Sequence, residues 1–347
     1  MTQIRAYAAM SAGAPLTPWT IERRPLGEHD VLIETRYAGI CHSDIHQARE
    51  EWGPAIFPMV PGHEIVGHVS AVGSKVTRHA VGDAVGVGCY VNSCRTCTSC
   101  LAGEEEYCLA GPVWTYNSRE ADGTPTYGGY STHIVVDENY ALRMPPSLPL
   151  DAGAPLLCAG ITLYTPLSLW GCVPGASVGI VGLGGLGHMG VKIAVAMGAQ
   201  VTVISHSPGK REDAARLGAQ FIDSSDRAAM KAARMSFDLI VDTVSADHDI
   251  ESLLGLLRVD GTLALVGLPS GAFSVHAGPL VGFRRRLVGS SIGGLERTQE
   301  MLDFCAEHGI TSDIEMVSAD RINAAWERVV ASEVRYRAVI DIATLGG

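Results

Sequence analysis

The sequence has no excess of basic residues. Lysine and arginine number 26 against 37 aspartates and glutamates, which gives a formal net charge of -11 and a pI near 5.5. Proteins that bind nucleic acid or anionic membranes present a basic face to them. The acidic balance therefore argues against both kinds of partner, and any anionic ligand must be held locally by a few residues.

Long apolar runs are also missing. No run approaches the roughly 20 residues that a membrane span requires, and residues 1–10 lack the charged-then-apolar pattern of a secretion signal. We find no internal repeat, low-complexity tract or long linker. These absences predict a compact cytoplasmic protein, and a length of 347 residues with 47% hydrophobic and 18% charged content is sufficient for two domains.

The nine cysteines are not spread as a disulfide framework over a small domain. Four of them lie within one short stretch: Cys94, Cys97, Cys100 and Cys108. Two-residue gaps let successive thiolates point at one ion, and four thiolates make a closed tetrahedral site. In a large chain without an export signal, this spacing predicts a structural zinc. The remaining thiols outside the metal patterns, Cys89, Cys172 and Cys305, are expected to be free.

A second group of metal-binding residue types precedes this cluster. Residues 39–46 contain Cys41, and residues 62–64 contain His63 followed by Glu64. Thiolate and imidazole donors suit a catalytic zinc, which keeps one coordination position open. The spacing alone identifies Cys41 and His63 as candidate ligands.

The pattern of apolar residues and turn signals changes near residue 152. Before it, short β-branched runs at 31–35, 65–69 and 84–88 are separated by glycine turns, which predicts a β-rich, barrel-like domain. After it, apolar strands alternate with helical stretches, which predicts βαβ units and a parallel sheet. The expected strands are 177–181, 200–204, 237–242, 261–266 and 287–290, with helices at 189–197 and 210–217.

The C-terminal tail has a different pattern, with helices expected at 298–308 and 319–332 and a closing strand at 337–342. We expect this tail to rejoin the first domain, so that the nucleotide domain is an insertion. The predicted domains are residues 1–150 with 290–347, and residues 151–289.

A glycine-rich turn follows the strand that ends at Val181. Its residues are Gly182, Leu183, Gly184, Gly185, Leu186 and Gly187. A GxGxxG pattern alone is weak, but between a strand and a helix its glycines permit a tight turn and close approach of a pyrophosphate to the helix N-terminus. The context predicts a dinucleotide-binding site.

The end of the next strand distinguishes between the two nicotinamide cofactors. NAD enzymes place a carboxylate there for the ribose 2'-hydroxyl. This chain instead has hydroxyls and cations, in Ser205, His206, Ser207, Lys210 and Arg211. The absence of a carboxylate favours NADP(H), with Lys210 the stronger candidate of the two cations for the 2'-phosphate.

Together these stretches resemble the zinc-dependent medium-chain alcohol dehydrogenases, and most closely the cinnamyl alcohol dehydrogenase group. The resemblance covers essentially the whole chain and is carried by residues 39–46, 62–73, 94–108, 157–162, 182–187 and 335–341. It implies an α/β protein, with a GroES-like β-rich catalytic domain and a Rossmann cofactor domain built on a doubly wound parallel sheet.

The resemblance also implies roles for residues around the metal. The catalytic zinc is expected on Cys41, His63 and Cys158, with Glu64 beside it as an alternate ligand or as a group that tunes the electrostatics of the site. Spacing alone does not identify Cys158. The family's mechanism has zinc polarise the carbonyl or acidify the alcohol while nicotinamide exchanges hydride. Ser43 is then expected to hydrogen-bond the reacting oxygen, and His46 to be the outer member of a proton relay.

Further residues follow from the same resemblance. Cofactor contacts are expected from His42, Thr162, Val266, Gly267, Ser290, Ser291, Ile292 and Arg337, the last near the pyrophosphate. Trp52 and Trp114 are expected to line the substrate pocket. The expected protein is a homodimer with two zinc ions per chain that acts on primary alcohols and aldehydes, aromatic or medium-chain aliphatic.

Two alternatives stay open on the sequence. The first is an NAD-linked polyol or secondary alcohol dehydrogenase of the same fold. The second is a zinc-ribbon binding protein that uses the Cys94 cluster on nucleic acid, although the acidic balance and the dinucleotide motif oppose it.

Overall fold

The computed structural model describes residues 3–269 and 271–346. Two compact units are present: the first unit is Met1–Cys158 with Gly293–Gly347, and the second unit is Ala159–Ile292. The domain limits predicted from the sequence, after residues 150 and 289, stay a prediction. The compact units divide after Cys158 and Ile292.

The N-terminal part of the first unit is built mainly of strands. Its elements are β1 (Gln3–Ala8), β2 (Thr17–Glu22), β3 (Asp30–Ile40), α1 (His42–Ala48), β4 (Ile65–Val72), β5 (Ala84–Val87), β6 (Tyr90–Asn92), α2 (Thr98–Leu101), β7 (Val113–Trp114), β8 (His133–Asp137), β9 (Leu142–Arg143) and α3 (Leu150–Gly153). Along β3, Val31 and Ile33 are buried while Glu34 is exposed, which is the alternation of a strand with one face on a core.

The second unit alternates strands with helices. Its elements are α4 (Ala159–Leu169), β10 (Ser177–Val181), α5 (Gly187–Ala196), β11 (Gln200–Ser205), α6 (Arg211–Arg216), β12 (Gln220–Asp223), α7 (Arg227–Ala232), β13 (Phe237–Asp242), α8 (Ile250–Leu254), β14 (Leu257–Leu265), α9 (Ala277–Val281) and β15 (Arg286–Gly289). The strands are parallel in the order β12-β11-β10-β13-β14-β15. Strand order reverses at β10, so ligands are expected at the carboxyl ends of the strands there.

The C-terminal segment returns to the first unit. It contains α10 (Leu295–His308), β16 (Ile314–Val317), α11 (Ile322–Val330) and β17 (Arg337–Asp341). β17 lies antiparallel to β3 in a sheet of order β16-β17-β3-β4-β5-β9, with β8 also paired to β3. The strand that leads into Cys41 therefore lies beside a strand from the end of the chain.

No single helix in the described residues is long and apolar enough to cross a membrane. The consecutive segments Leu150–Leu157 and Ala159–Leu169 satisfy that criterion only in combination.

Candidate active site and metal centres

Four candidate ligands converge in the first unit, and we call this cluster the buried site. Its members are Cys41, His63, Glu64 and Cys158, each of which is buried, and their ligand atoms lie within 4.8 Å of one another. The Sγ atoms of Cys41 and Cys158 are 3.9 Å apart. Two sulfurs on one tetrahedral zinc, each at about 2.3 Å, are separated by about 3.8 Å. The observed spacing fits a shared zinc ion.

Two glycines make the close packing of the buried site possible. A Cβ on Gly39 would overlap the carboxylate of Glu64, so β3 can pass this residue only with a glycine. Gly62 has φ +108°, and its Cβ would lie 2.8 Å from the backbone nitrogen of Gly129. Only glycine adopts that conformation readily. The backbone conformation therefore requires glycine at position 62, directly before His63.

Asp44 orients the histidine, and the sequence reasoning assigned it no role. Its Oδ1 atom lies 3.1 Å from His63 Nδ1 and accepts a hydrogen bond of 3.1 Å from Gly62 N. Its Oδ2 atom accepts one of 3.0 Å from Cys41 N. Because Nδ1 contacts Asp44, Nε2 is the ring nitrogen that remains for a metal. The only sequence signal was the position of Asp44, three residues after Cys41 at the start of α1.

The electrostatics of the buried site also suit a divalent cation. Burial raises the pKa of Glu64 to about 7, and Arg337 opposes this rise through a buried ion pair with Glu64. Burial alone lowers the pKa of Arg337, but Glu64 and the thiols outweigh it, so the guanidinium keeps its charge. Glu64 Oε2 has no hydrogen-bond partner among the described residues. The two positive charges of Zn²⁺ would neutralise the two thiolates, while the guanidinium of Arg337 neutralises the carboxylate of Glu64.

The residues predicted for proton transfer lie on α1, directly after Cys41. Ser43 Oγ is 3.6 Å from Cys41 Sγ. The ring of His46 stacks on Trp52, with centroids 4.8 Å apart, and its Nδ1 pairs with Glu51. Glu51 was missed by the sequence reasoning, and it leaves Nε2 of His46 for proton exchange. The structure thus brings Ser43, His46 and Trp52 onto or beside one short helix.

The other predicted residues of the first unit lie in different settings. His42 is exposed at the start of α1 and stacks on His46 at 5.8 Å. Trp114 lies in β7 and is 39% exposed, and Trp52 is 46% exposed. Arg337 is buried in the ion pair with Glu64. Its predicted contact with the pyrophosphate stays a prediction.

The second candidate metal centre is the cysteine lobe, which we define as Cys94, Cys97, Cys100 and Cys108. These thiols also form a group with ligand atoms within 4.8 Å of one another, and Cys94 Sγ lies 3.9 Å from Cys100 Sγ. Cys97 N donates to Cys94 Sγ at 3.3 Å, and Leu109 N donates to Cys97 Sγ at 3.4 Å. Backbone N–H groups, first that of Thr96, lower the pKa of Cys94 to about 6. Four sulfurs with backbone donors fit a closed zinc site.

In the second unit, the predicted cofactor residues lie at the carboxyl ends of parallel strands. They are residues 182–187 after β10, Ser205–Lys210 at and after β11, Val266 and Gly267 after β14, and Ser290–Ile292 after β15. Backbone hydrogen bonds connect the carboxyl ends of neighbouring strands. Val266 N and Gly267 N donate to Asp242 O at 3.0 and 3.1 Å, and Ser290 N donates to Leu265 O at 3.0 Å. Thr162 lies buried in α4 of the same unit.

The glycines of the turn have distinct structural reasons. Gly182 has φ +86°, a conformation that favours glycine. A Cβ on Gly187 would overlap the carbonyl of Gly182, so α5 packs on the strand end only without a side chain. A Cβ on Gly184 would meet no described atom within 4 Å, which leaves an open surface of backbone. This arrangement suits a pyrophosphate at the start of α5.

The segment predicted to contact the 2'-phosphate has one feature that the sequence reasoning did not consider. Asp223, at the end of β12, is the register partner of Ser205. Its carboxylate accepts hydrogen bonds from the backbone and hydroxyl of Ser225, and these bonds lower its pKa, with Arg211 and His206 adding to the effect. The carboxylate thus lies among cations and hydroxyl groups.

Comparison with known proteins agrees with this geometry. Residues 27–146 match the family model "Alcohol dehydrogenase GroES-like domain", and residues 185–307 match "Zinc-binding dehydrogenase". The chain is 58% identical over 347 residues to NADP-dependent alcohol dehydrogenase C 1 of Mycolicibacterium smegmatis, with 99% of each chain covered. The chain belongs to the zinc-binding alcohol dehydrogenases.

Solved structures of this family agree with that placement. A cinnamyl alcohol dehydrogenase of Sorghum bicolor is similar at a TM-score of 0.96 and 48% identity, over 99% of this chain and 98% of that one. A cinnamyl alcohol dehydrogenase from Helicobacter pylori, complexed with NADP(H), is similar at a TM-score of 0.93 and 41% identity, over 99% of both chains. The predicted family, fold class and enzyme class are confirmed.

Proposed function

We propose that this alcohol dehydrogenase interconverts primary alcohols and aldehydes with NADP(H), and that it takes aromatic and medium-chain aliphatic substrates. The observation that carries the proposal is the buried site, where two thiols and an imidazole converge with the spacing of a shared zinc ion. A closed four-sulfur site alone would leave no position for substrate. Cys41, His63 and Cys158 supply three ligands, which leaves the fourth coordination position of a tetrahedral zinc for the substrate.

The proposed roles around this site follow from chemistry and position. When bound, zinc polarises a carbonyl or acidifies an alcohol, and NADP(H) supplies or accepts hydride. Cys41, His63 and Cys158 would hold the metal, and the ion pair with Arg337 keeps Glu64 beside them as an alternate ligand. Ser43 Oγ, beside Cys41, exchanges a proton with the substrate oxygen. His46 exchanges that proton with solvent through Nε2, because its Nδ1 is paired with Glu51.

The cofactor preference rests on the second unit. Ser205 ends β11, Ser207 and Lys210 follow it, and no carboxylate stands among them. Hydroxyl groups together with a cation bind a 2'-phosphate. The relative in M. smegmatis is named as NADP-dependent, and the H. pylori structure contains NADP(H). Both support NADP(H) for this chain. The remaining predicted contacts, from His42 and Thr162 to residues 290–292, belong to the same proposal.

The proposed substrate class rests on the names of relatives and on two aromatic side chains. Several relatives are named as cinnamyl alcohol dehydrogenases, and one, in Bacillus subtilis, as a probable formaldehyde dehydrogenase. Trp52 and Trp114 are half-exposed aromatic side chains in the first unit. Such side chains bind apolar substrates well. We assign them to the substrate pocket, and we propose a homodimer as the assembly.

Metal analysis combined with initial rates tests the proposal. Aromatic, aliphatic and polyol substrates are each assayed with NADPH or NADP⁺ and with NADH or NAD⁺. We expect one zinc for each of the two clusters and aldehyde reduction that prefers NADPH. Faster turnover of polyols with NAD⁺ would favour the polyol dehydrogenase instead, and active enzyme with zinc in the cysteine lobe alone would remove the buried site from the mechanism.

A further inference from the structure

We infer that Tyr130 is a positioning residue for the buried site and acts on the ligand His63 through Asp44. The inference rests on the zinc site of the proposed function and adds a residue that binds no metal itself. Tyr130 lies in the segment before β8, far in sequence from Cys41 and His63. Its phenol donates a hydrogen bond of 3.1 Å to Asp44 Oδ2.

A continuous buried chain of hydrogen bonds connects helix α11 to the histidine. Trp326 Nε1 donates to the phenol oxygen of Tyr130 at 3.4 Å, the phenol donates to Asp44, and Asp44 Oδ1 lies 3.1 Å from His63 Nδ1. Tyr130 and Asp44 are both fully buried. Burial, and then Asp44, raise the pKa of Tyr130 well above its usual value, so the phenol keeps its proton and acts as the donor.

Two donors at Oδ2, the Tyr130 phenol and Cys41 N, fix the orientation of the Asp44 carboxylate, and the phenol is the side-chain donor of the two. The other carboxylate oxygen is shared by Gly62 N and the His63 ring, so rotation of the carboxylate would change the contact that orients the ring. Groups that hold a metal-bound histidine typically change metal affinity by roughly 10- to 100-fold when they are removed. The phenol is one step further from the metal, so the lower end of that range is expected.

The backbone that carries Tyr130 is fixed to the backbone that carries His63. Tyr130 N donates to Pro61 O at 3.0 Å, and Gly129 N donates to Gly62 O at 2.9 Å. Arg23 also holds this segment, because its guanidinium donates to Tyr127 O at 2.6 Å and Gly128 O at 3.0 Å, and to His133 O at the start of β8 at 3.0 Å. The phenol therefore acts from a rigid support, as a positioning group must.

Replacement of Tyr130 by phenylalanine in the zinc-loaded enzyme tests the inference. Zinc release to a chromogenic chelator is followed over time, and the absorption bands of the cobalt-substituted enzyme are recorded. In Tyr130→Phe we expect release from the buried site to be about 10-fold faster, with shifted cobalt bands. Release from the cysteine lobe should keep its wild-type rate and provides an internal reference.

Tyr90→Phe is the matched control. Tyr90 is 4% exposed, and its phenol donates a 3.1 Å hydrogen bond to Gly293 O, away from Asp44. The same atom is removed, so stability should fall in both variants, but zinc release should change only in Tyr130→Phe. Equal acceleration in both variants would show a general loosening of the fold and overturn the inference, as would wild-type release and spectrum in Tyr130→Phe.

Trp326→Phe covers the case in which Tyr130→Phe does not fold. It removes the donor to the phenol oxygen and leaves the phenol in place, so a smaller acceleration of zinc release is expected. Unchanged release would then overturn the inference. A wild-type enzyme that holds zinc in the cysteine lobe alone would instead overturn the metal site of the proposed function, so the two failures are distinguishable.

Discussion

The cysteine lobe takes its donors from residues 94–108, whereas the buried site collects its donors from residues 41 to 158. The lobe cysteines are mostly half-buried, and neighbouring backbone N–H groups bond to their sulfurs. The buried site instead depends on distant partners, namely Asp44 for His63 and Arg337 for Glu64. A short-range site needs only a loop, but a site that must leave a coordination position open for substrate needs a folded framework around it.

Cys158→Ser is expected to have the largest effect on turnover. The zinc content should fall by one ion per chain, and kcat should fall by at least about 10³-fold, because the metal supplies several kcal/mol of transition-state stabilisation. Metal analysis and initial rates measure both quantities. Cys172→Ser, a buried thiol outside both clusters, is the control. Retention of both zinc ions with near-normal turnover would contradict the assignment of Cys158.

Ser43→Ala should separate metal binding from proton transfer. We expect kcat to fall by about 10²-fold, as is usual for loss of a proton-transfer group, while the zinc content stays unchanged. Ser70→Ala, which removes an exposed hydroxyl bonded to Leu32 O, should leave kcat unchanged. Turnover within a few-fold of wild type in Ser43→Ala would remove this residue from the proton route.

Lys210→Ala tests whether the second unit binds the 2'-phosphate of NADPH. Loss of one charge-assisted contact to the 2'-phosphate corresponds to about 1.5 kcal/mol, or a roughly tenfold rise in KM for NADPH. KM for NADH should not change, because NADH lacks that phosphate. Lys231→Ala in α7 is the control. A parallel rise in both KM values would indicate a structural effect of Lys210 instead.

Cys97→Ser in the cysteine lobe should have the smallest effect on turnover. One zinc ion should be lost and kcat should stay within about threefold of wild type, since no lobe residue binds substrate in the proposed mechanism. The melting temperature should fall, because metal binding stabilises the folded loop. A loss of kcat as large as that in Cys158→Ser would contradict the separation of the two sites.

Local patterns predicted much of the second unit. Strands β10 and β13 have the expected bounds, since apolar β-branched runs between turn signals are specific to buried parallel strands. β12 was missed because it is only four residues long and none of them is fully buried: Phe221 and Ile222 lie between the polar Gln220 and Asp223. The sequence pattern predicts one helix over 319–332, whereas the structure has a 3-10 turn at Ala319–Arg321 followed by α11.

In the candidate sites too, local sequence spacing identified some residues, whereas residues brought together only by folding were not identified. The cysteine lobe could be identified from spacing, because its four residues lie within one loop. Cys158 needed a family resemblance, and Asp44 was not recognised, because its partner His63 is brought to it only by the pairing of β3 with β4. Hydrogen bonds between residues far apart in sequence leave no periodic pattern that could predict them.

The ion pair between Glu64 and Arg337 has a consequence for how the protein is made. The carboxylate of Glu64 is synthesised 273 residues before the guanidinium of Arg337, which lies on β17. A nascent chain that stops anywhere before residue 337 lacks the guanidinium that pairs with the buried Glu64, and a buried carboxylate without its ion-pair partner is strongly unfavourable. The environment of Glu64 seen in the folded enzyme can therefore form only after the start of β17 has been synthesised.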